Sequence, residues 1–94
     1  MPMIVRNEDD WLTAKINGRV VIMHLRQSKN ISLDEMGARI WDIIETPRTI
    51  DDICAILLRE FDVPPDVCRA EVERFVGEFK AEGALANGNA RADA

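Results

Sequence analysis

The stretch Ser32-Leu33-Asp34-Glu35-Met36-Gly37-Ala38-Arg39-Ile40-Trp41-Asp42-Ile43-Ile44 divides the chain into two halves of different character. Met36, Ile40, Ile43 and Ile44 recur at helical spacing, so one side of the segment faces a core. Ser32 followed by Glu35 reads as a capping box that starts the helix. Gly37, one turn in, costs roughly 1 kcal/mol against alanine in a helix. A glycine kept at that cost points to the close approach of another backbone. The helix ends near Glu45, because Pro47 disfavours helical geometry just before it.

Upstream, the pattern has the period of strands. Leu12, Ala14 and Ile16 alternate with Trp11, Thr13 and Lys15, the mark of a half-buried strand. Asn17-Gly18 is a strong hairpin signal, since both residues tolerate positive φ. The return strand, Arg19 to Arg26, carries Val21, Met23 and Leu25 on one face and Val20 and Ile22 on the other. Gln27-Ser28-Lys29 makes a second turn, and Asn30-Ile31-Ser32-Leu33 a short third strand. Met1 to Asp10 has no clear period and reads as a flexible lead-in, with room for a short strand at Met3 to Val5.

Downstream, the period is 3.6. Thr49 is a suitable N-cap, followed by Asp51 and Asp52 in the first turn. Ile50, Ile53, Cys54, Leu57, Leu58 and Phe61 then form the cleanest amphipathic stripe in the chain. Pro64-Pro65 breaks that helix and opens another, along which Cys68, Val72, Phe75, Val76 and Phe79 are apolar. Gly83 closes it as a C′ residue. Residues 86–94 read as a disordered tail. The expectation is an α+β domain over residues 11–85: a three-stranded antiparallel meander followed by a bundle of three helices.

The 94 residues suffice for one domain with a small core. No apolar run has the length of a membrane span and the N-terminus lacks a signal-peptide layout, so a cytoplasmic location is expected. Cys54 and Cys68 lack metal-ligand spacing and read as core fillers; His24 is the only histidine. There is no phosphate loop, nucleophile elbow or metal-binding pair, so neither an enzyme nor a cofactor is expected. The net charge of −5 is unevenly spread. Trp11 to Leu33 contains Lys15, Arg19, Arg26 and Lys29 and no acid, whereas from Asp34 onward acids outnumber bases two to one. A partner docking on the sheet therefore gains from carrying acidic groups.

Two features suit a docking surface. The third strand ends the meander and lies at its edge, where unpaired backbone groups either need blunting, as by Lys29, or accept an added strand. On that reading Ile31→Pro removes an edge donor. Phe75 and Phe79, two of five aromatic residues, lie on the third helix, where they are either plain core or the lining of a groove beside that strand.

The runs Leu33 to Asp42, Pro47-Arg48-Thr49-Ile50, Glu60-Phe61-Asp62-Val63, Glu71 to Val76 and Glu82-Gly83-Ala84-Leu85 together resemble the PqqD family of peptide chaperones, also called RiPP recognition elements. The likeness covers Trp11 to Leu85. It implies a winged helix-turn-helix-like fold and binding of the leader segment of a ribosomally made precursor peptide. The leader adds beside the third strand, in a groove closed by the third helix, and is presented to a maturation enzyme such as a leader peptidase or a radical SAM enzyme. Carried onto this chain, the likeness assigns strand contacts to Lys29, Asn30, Ile31 and Ser32. It assigns helix contacts to Cys68, Val72, Phe75, Val76 and Phe79, with Arg69 and Arg74 as salt-bridge donors. The Gly37 to Trp41 segment is most similar to stand-alone members that serve lasso-peptide leader peptidases. Members of the pyrroloquinoline quinone type have an asparagine-rich helix start and a cysteine-aspartate-glycine end, where this chain has Leu33-Asp34-Glu35 and Glu45-Thr46-Pro47. The third-strand aromatic common in lasso members is replaced by Ile31 or its neighbour, so the leader's anchor differs.

Winged helices also read DNA. The third helix, however, carries Arg69, Arg74 and Lys80 against Asp66, Glu71, Glu73, Glu78 and Glu82, the reverse of what phosphate contact requires. No nucleic acid or membrane partner is expected. A structural module that pairs through the same edge is the remaining alternative, and a monomer or weak homodimer is expected.

Overall fold

The computed structural model describes residues 3–86. In chain order it contains β1 (Trp11–Ile16), β2 (Arg19–His24), β3 (Asn30–Leu33), α1 (Glu35–Ile43), α2 (Ile50–Glu60) and α3 (Pro65–Ala81). The strands form one antiparallel sheet in the order β1-β2-β3, with β2 in the middle. The hairpin turns at Asn17 (φ 52°) and Gly18 (φ 81°), both in the left-handed region that an Asn-Gly pair accommodates. The helices cover one face of the sheet, giving the α+β arrangement expected.

The covered face of β1 is the opposite of the one its apolar alternation suggests. Trp11 is buried, while Leu12 and Ile16 are 50% and 49% exposed. Burying the indole removes the larger area from water, and its N–H finds the Gly83 carbonyl at 3.1 Å. In register with it, β2 turns Val20 and Ile22 inward, and β3 turns Ile31 and Leu33 inward. β2 ends at His24, two residues early, because the imidazole Nδ1 accepts the backbone N–H groups of Arg26 and Gln27 (3.1 Å each) and so organises the turn to β3. His24 also packs edge-on against Trp11, which gives it a structural role.

The cap of α1 is Asp34 rather than Ser32: its carboxylate accepts the Gly37 N–H at 2.8 Å. Leu33 is still held in the sheet opposite Val20, so the chain cannot turn into a helix as early as Ser32. Thr49 caps α2, and Asp52 closes the reciprocal capping box. At the end of α3, the N–H of Gly83 (φ 77°) reaches the Lys80 carbonyl and that of Ala84 reaches Phe79, a Schellman motif.

Residues 3–10, expected to be a flexible lead-in, are instead fastened at several points. Ile4 and Arg48 exchange backbone hydrogen bonds, Arg6 donates to Ile44, and Asn7 donates to Ala84. Ala86 donates to Val5, so this first residue of the expected tail is attached too. Residues 87–94, the rest of that tail, lie outside the described residues, as do Met1 and Pro2. Cys54 and Cys68 are free, buried thiols between α2 and α3, and burial pushes the Cys54 thiol up from its ordinary value.

α1 joins the layers. The Trp41 indole N–H donates to the Thr13 hydroxyl of β1 at 2.8 Å, and its ring meets Phe79 of α3 edge-on at 5.2 Å. A Cβ at Gly37 would lie 2.6 Å from Cε1 of Phe75, so the close approach is to an aromatic ring of α3 rather than to another backbone. Gly37→Val is expected to lower the unfolding free energy by about 1–3 kcal/mol through overpacking, read as a lower urea midpoint at unchanged slope. Trp41→Phe leaves the Thr13 hydroxyl without its donor and is expected to cost about 1 kcal/mol beyond the change in packing. A Trp41→Phe, Thr13→Val double mutant should recover part of that loss in the same titration.

Candidate peptide-binding groove

In an antiparallel ladder, hydrogen-bonded pairs alternate with non-bonded ones, so each strand points alternate backbone groups to its two sides. The His24 N–H bonds the Lys29 carbonyl at 2.9 Å, which makes 24/29 a bonded pair. By register, Ile22/Ile31 and Val20/Leu33 are bonded pairs as well. The backbone groups of Asn30 and Ser32 therefore point away from β2, to the open edge of β3. This corrects the expectation for Ile31: its N–H faces β2, so proline there breaks the ladder rather than the edge.

The other edge of the sheet follows the same alternation. Leu25 N–H bonds Asp10 carbonyl at 2.8 Å, so Trp11, Thr13 and Lys15 of β1 point their backbone groups outward. Trp11 N–H is occupied by the Asn7 carbonyl. Lys15 places a charge on the inner side of the edge, a common device against strand addition. A cleft of about 710 Å³ lies below this edge, lined by Thr13, Lys15, Trp41, Arg39, Glu60 and Asp62 among others. Arg39 spans it with bonds to Glu60 (2.7 and 2.8 Å) and Asp42 (2.7 Å), and this hydrogen bonding holds the Glu60 carboxyl below its ordinary value. Its volume exceeds that of the β3 groove, but Arg39, Asp42 and Glu60 are already paired across it and its strand edge is guarded.

The β3 edge stands over a smaller groove of about 260 Å³, between Ile31, Ser32 and Leu33 on the strand and Phe75, Glu78, Phe79, Ala81 and Glu82 on the helix. Phe75 and Phe79 are almost fully buried and form its floor, so they belong to the core and to the groove at once. Ser32 turns its hydroxyl to the outer face, where Arg19 donates to it at 3.2 Å. Lys29 stands at one end, its ammonium 3.0 Å from Glu82.

The sequence-assigned residues are thus only partly brought together. Ile31, Ser32, Phe75 and Phe79 line the groove, with Lys29 and Asn30 at its end. Val76 is half-buried against the core and is not part of the groove lining. Cys68 and Val72 are both at 0% exposure and offer no surface to a ligand. Arg69 faces α2, paired with Asp51, and lies outside the groove. Arg74 sits 4.5 Å over the Phe75 ring and is held by Glu71 and Glu78, whose hydrogen bonds raise its pKa further. Leu33, Glu78, Ala81 and Glu82 were not among the assigned residues. Glu78 and Glu82 follow Phe75 and Phe79 at i+3 on the same helix face, and that spacing was the signal available.

Among the described residues, no group of three or more His, Cys, Asp or Glu could hold a metal ion, and no helix is long and apolar enough to cross a membrane.

Residues 19–85 match the family Coenzyme PQQ synthesis protein D (PqqD). Two solved structures share the fold. "TbiB1 in Complex with the TbiA(beta) Leader Peptide" has a TM-score of 0.75 at 23% identity, over 93% of this chain and 96% of that one. "Lasso peptide synthetase B1 complexed with the leader peptide" has a TM-score of 0.77 at 16% identity, over 88% and 96% respectively. No curated protein matches the chain. With a family match that runs from the second strand to the end of the last helix, on the sheet and three helices described above, this chain belongs to the PqqD family.

Proposed function

We propose that this protein is a leader-peptide chaperone: it binds the leader of a ribosomally made precursor by adding it as a strand to β3, and delivers it to a modifying enzyme. The observation that carries this reading is the outward-facing backbone of Asn30 and Ser32 directly beside a groove floored by Phe75 and Phe79. Main-chain pairing at Asn30 and Ser32 supplies affinity without demanding a sequence, and the aromatic floor selects apolar anchors. Two buried anchors contribute roughly 1.5–3 kcal/mol each, against an ordering cost of about 2–5 kcal/mol for the peptide. Pairing and charge contacts bring the sum to about −8 kcal/mol, the micromolar range. That both structural neighbours are described as complexes with leader peptides supports the same reading.

The enzyme served is proposed to be a leader peptidase of the lasso-peptide type, on the strength of those neighbours; a radical SAM maturase is the alternative, on the strength of the family. The protein itself supplies no catalysis in this scheme, acts in the cytoplasm, and works as a monomer or weak homodimer. A DNA-binding reading finds less support, because Arg69 and Arg74 of α3 are each already paired with carboxylates.

An NMR titration of the labelled protein with the leader of a neighbouring precursor gene tests the reading. The expected outcome is that amide shifts concentrate at Asn30 and Ser32 and along Phe75 to Glu82; absence of any shift with every adjacent leader would sink it. Ser32→Pro removes an outward donor while leaving the β2–β3 ladder intact, and is expected to weaken binding at least tenfold. Unchanged affinity in a variant with native circular dichroism would rule out strand addition at this edge.

A further inference from the structure

Lys29–Glu82 is, among the described residues, the one ion pair that joins the sheet region to α3, and it does so across an end of the groove. The two side chains are 46% and 44% exposed, so the bridge is wet and either partner can be exchanged. The Lys29 backbone is fixed: its carbonyl accepts from His24 and its N–H donates to Gln27, in a turn that the His24 ring holds from below. Only its side chain is free to change partner. Glu82 is the weaker holder. It is the C-cap of α3, where the helix dipole disfavours an anion, and it follows Glu78 by one turn, adding like-charge repulsion.

The residue after Lys29 is Asn30, the first with backbone groups on the open edge. A strand that pairs along β3 as far as Asn30 arrives where the bridge crosses. Of the other cations nearby, Arg19 stands on the outer face of the sheet against the Ser32 hydroxyl, two residues further along β3, and Arg74 is not available to read it. Arg74 is pinned by Glu71 and Glu78 and stacked on Phe75. The remaining groove side chains with charge, Glu78 and Glu82, are both anionic.

We propose that the Lys29–Glu82 bridge is a gate on the groove, and that Lys29 selects a carboxylate side chain in the leader at the strand position beside Asn30, releasing Glu82 in exchange. The inference rests on the leader-binding reading. It gives the ligand a chemical class: an extended segment with apolar anchors for the aromatic floor and an acidic residue at the Lys29 end. It also assigns a use to the basic charge that the strand region carries without any acid between Trp11 and Leu33.

The experiment is a set of calorimetric titrations of wild type, Lys29→Met and Glu82→Gln with the leader of a neighbouring precursor gene. The same proteins are titrated with copies of that leader in which each Asp or Glu is replaced singly by Asn or Gln. Glu82→Gln removes the competitor and is expected to tighten binding roughly two- to fivefold, the scale of an exposed ion pair. Lys29→Met is expected to weaken the unaltered leader by a similar factor. It should leave unchanged the affinity for one copy, the copy lacking the selected carboxylate. If wild type binds the leader but Glu82→Gln gives no gain, or if Lys29→Met weakens every copy equally, the gate is overturned and leader binding stands. If wild type binds no leader, the reading beneath it falls and the gate falls with it.

Discussion

The approach of α1 to α3 at Gly37 is the constraint from which the rest of the structure follows. With no Cβ in the way, the Phe75 ring lies against the α1 backbone, at a place where any side chain would meet it at 2.6 Å. That seats Phe75 and Phe79 between α1 and the sheet, and lets Trp41 reach past them to the Thr13 hydroxyl of β1. One helix of nine residues thereby fixes the distance between the sheet and α3. The groove is what remains of that distance on the β3 side. Its floor is made by the same rings that hold the layers together, so its shape is as rigid as the core itself.

The sheet has two edges, and the proposed function uses only one. β2 spends alternate backbone groups on β1 and β3, which leaves each outer strand a row of unspent groups of its own. On β1 they lie beside the inward-facing Lys15 and near the fastened segment at residues 4–7. On β3 they belong to Asn30 and Ser32, whose side chains turn outward and do not obstruct an incoming strand. The two edges share the same hydrogen-bonding chemistry and differ in what stands beside them.

Charge is arranged with comparable economy. The acidic excess of the helical half does not produce an acidic groove wall that repels every partner, because Arg74 and Lys29 neutralise Glu78 and Glu82 from either end. Arg69 ties α3 to α2 through Asp51 on the far side and pairs with Glu73 within α3, away from the groove. These exposed pairs add little to stability one by one. Their effect is on which charges remain available to a ligand.

Element order and type were legible in the chain because periodicity, capping and turn chemistry are local: Asn17-Gly18, Thr49, Pro65 and Gly83 each act within a few residues of where they stand. The resemblance to PqqD proteins was legible for the same reason, as an ordered set of local motifs. Which face of β1 is buried was not, since Leu12 and Trp11 compete for the core. The outcome turns on the Gly83 carbonyl, 72 residues away in sequence, which accepts the indole N–H. Nor was the fastening of residues 4–7 legible, because its partners, Arg48, Ile44 and Ala84, come from other elements. The Ser32-to-Glu35 spacing was a valid local signal that lost to strand pairing at Leu33. The sequence by itself determined the strands, the helices and a glycine where two elements must meet. Only the tertiary structure decided that the partner at Gly37 is Phe75, that the open edge belongs to Asn30 and Ser32, and that Cys68, Val72 and Arg69 stand away from it. Those are questions of long-range contact, settled by how buried rings and paired strands share one small volume.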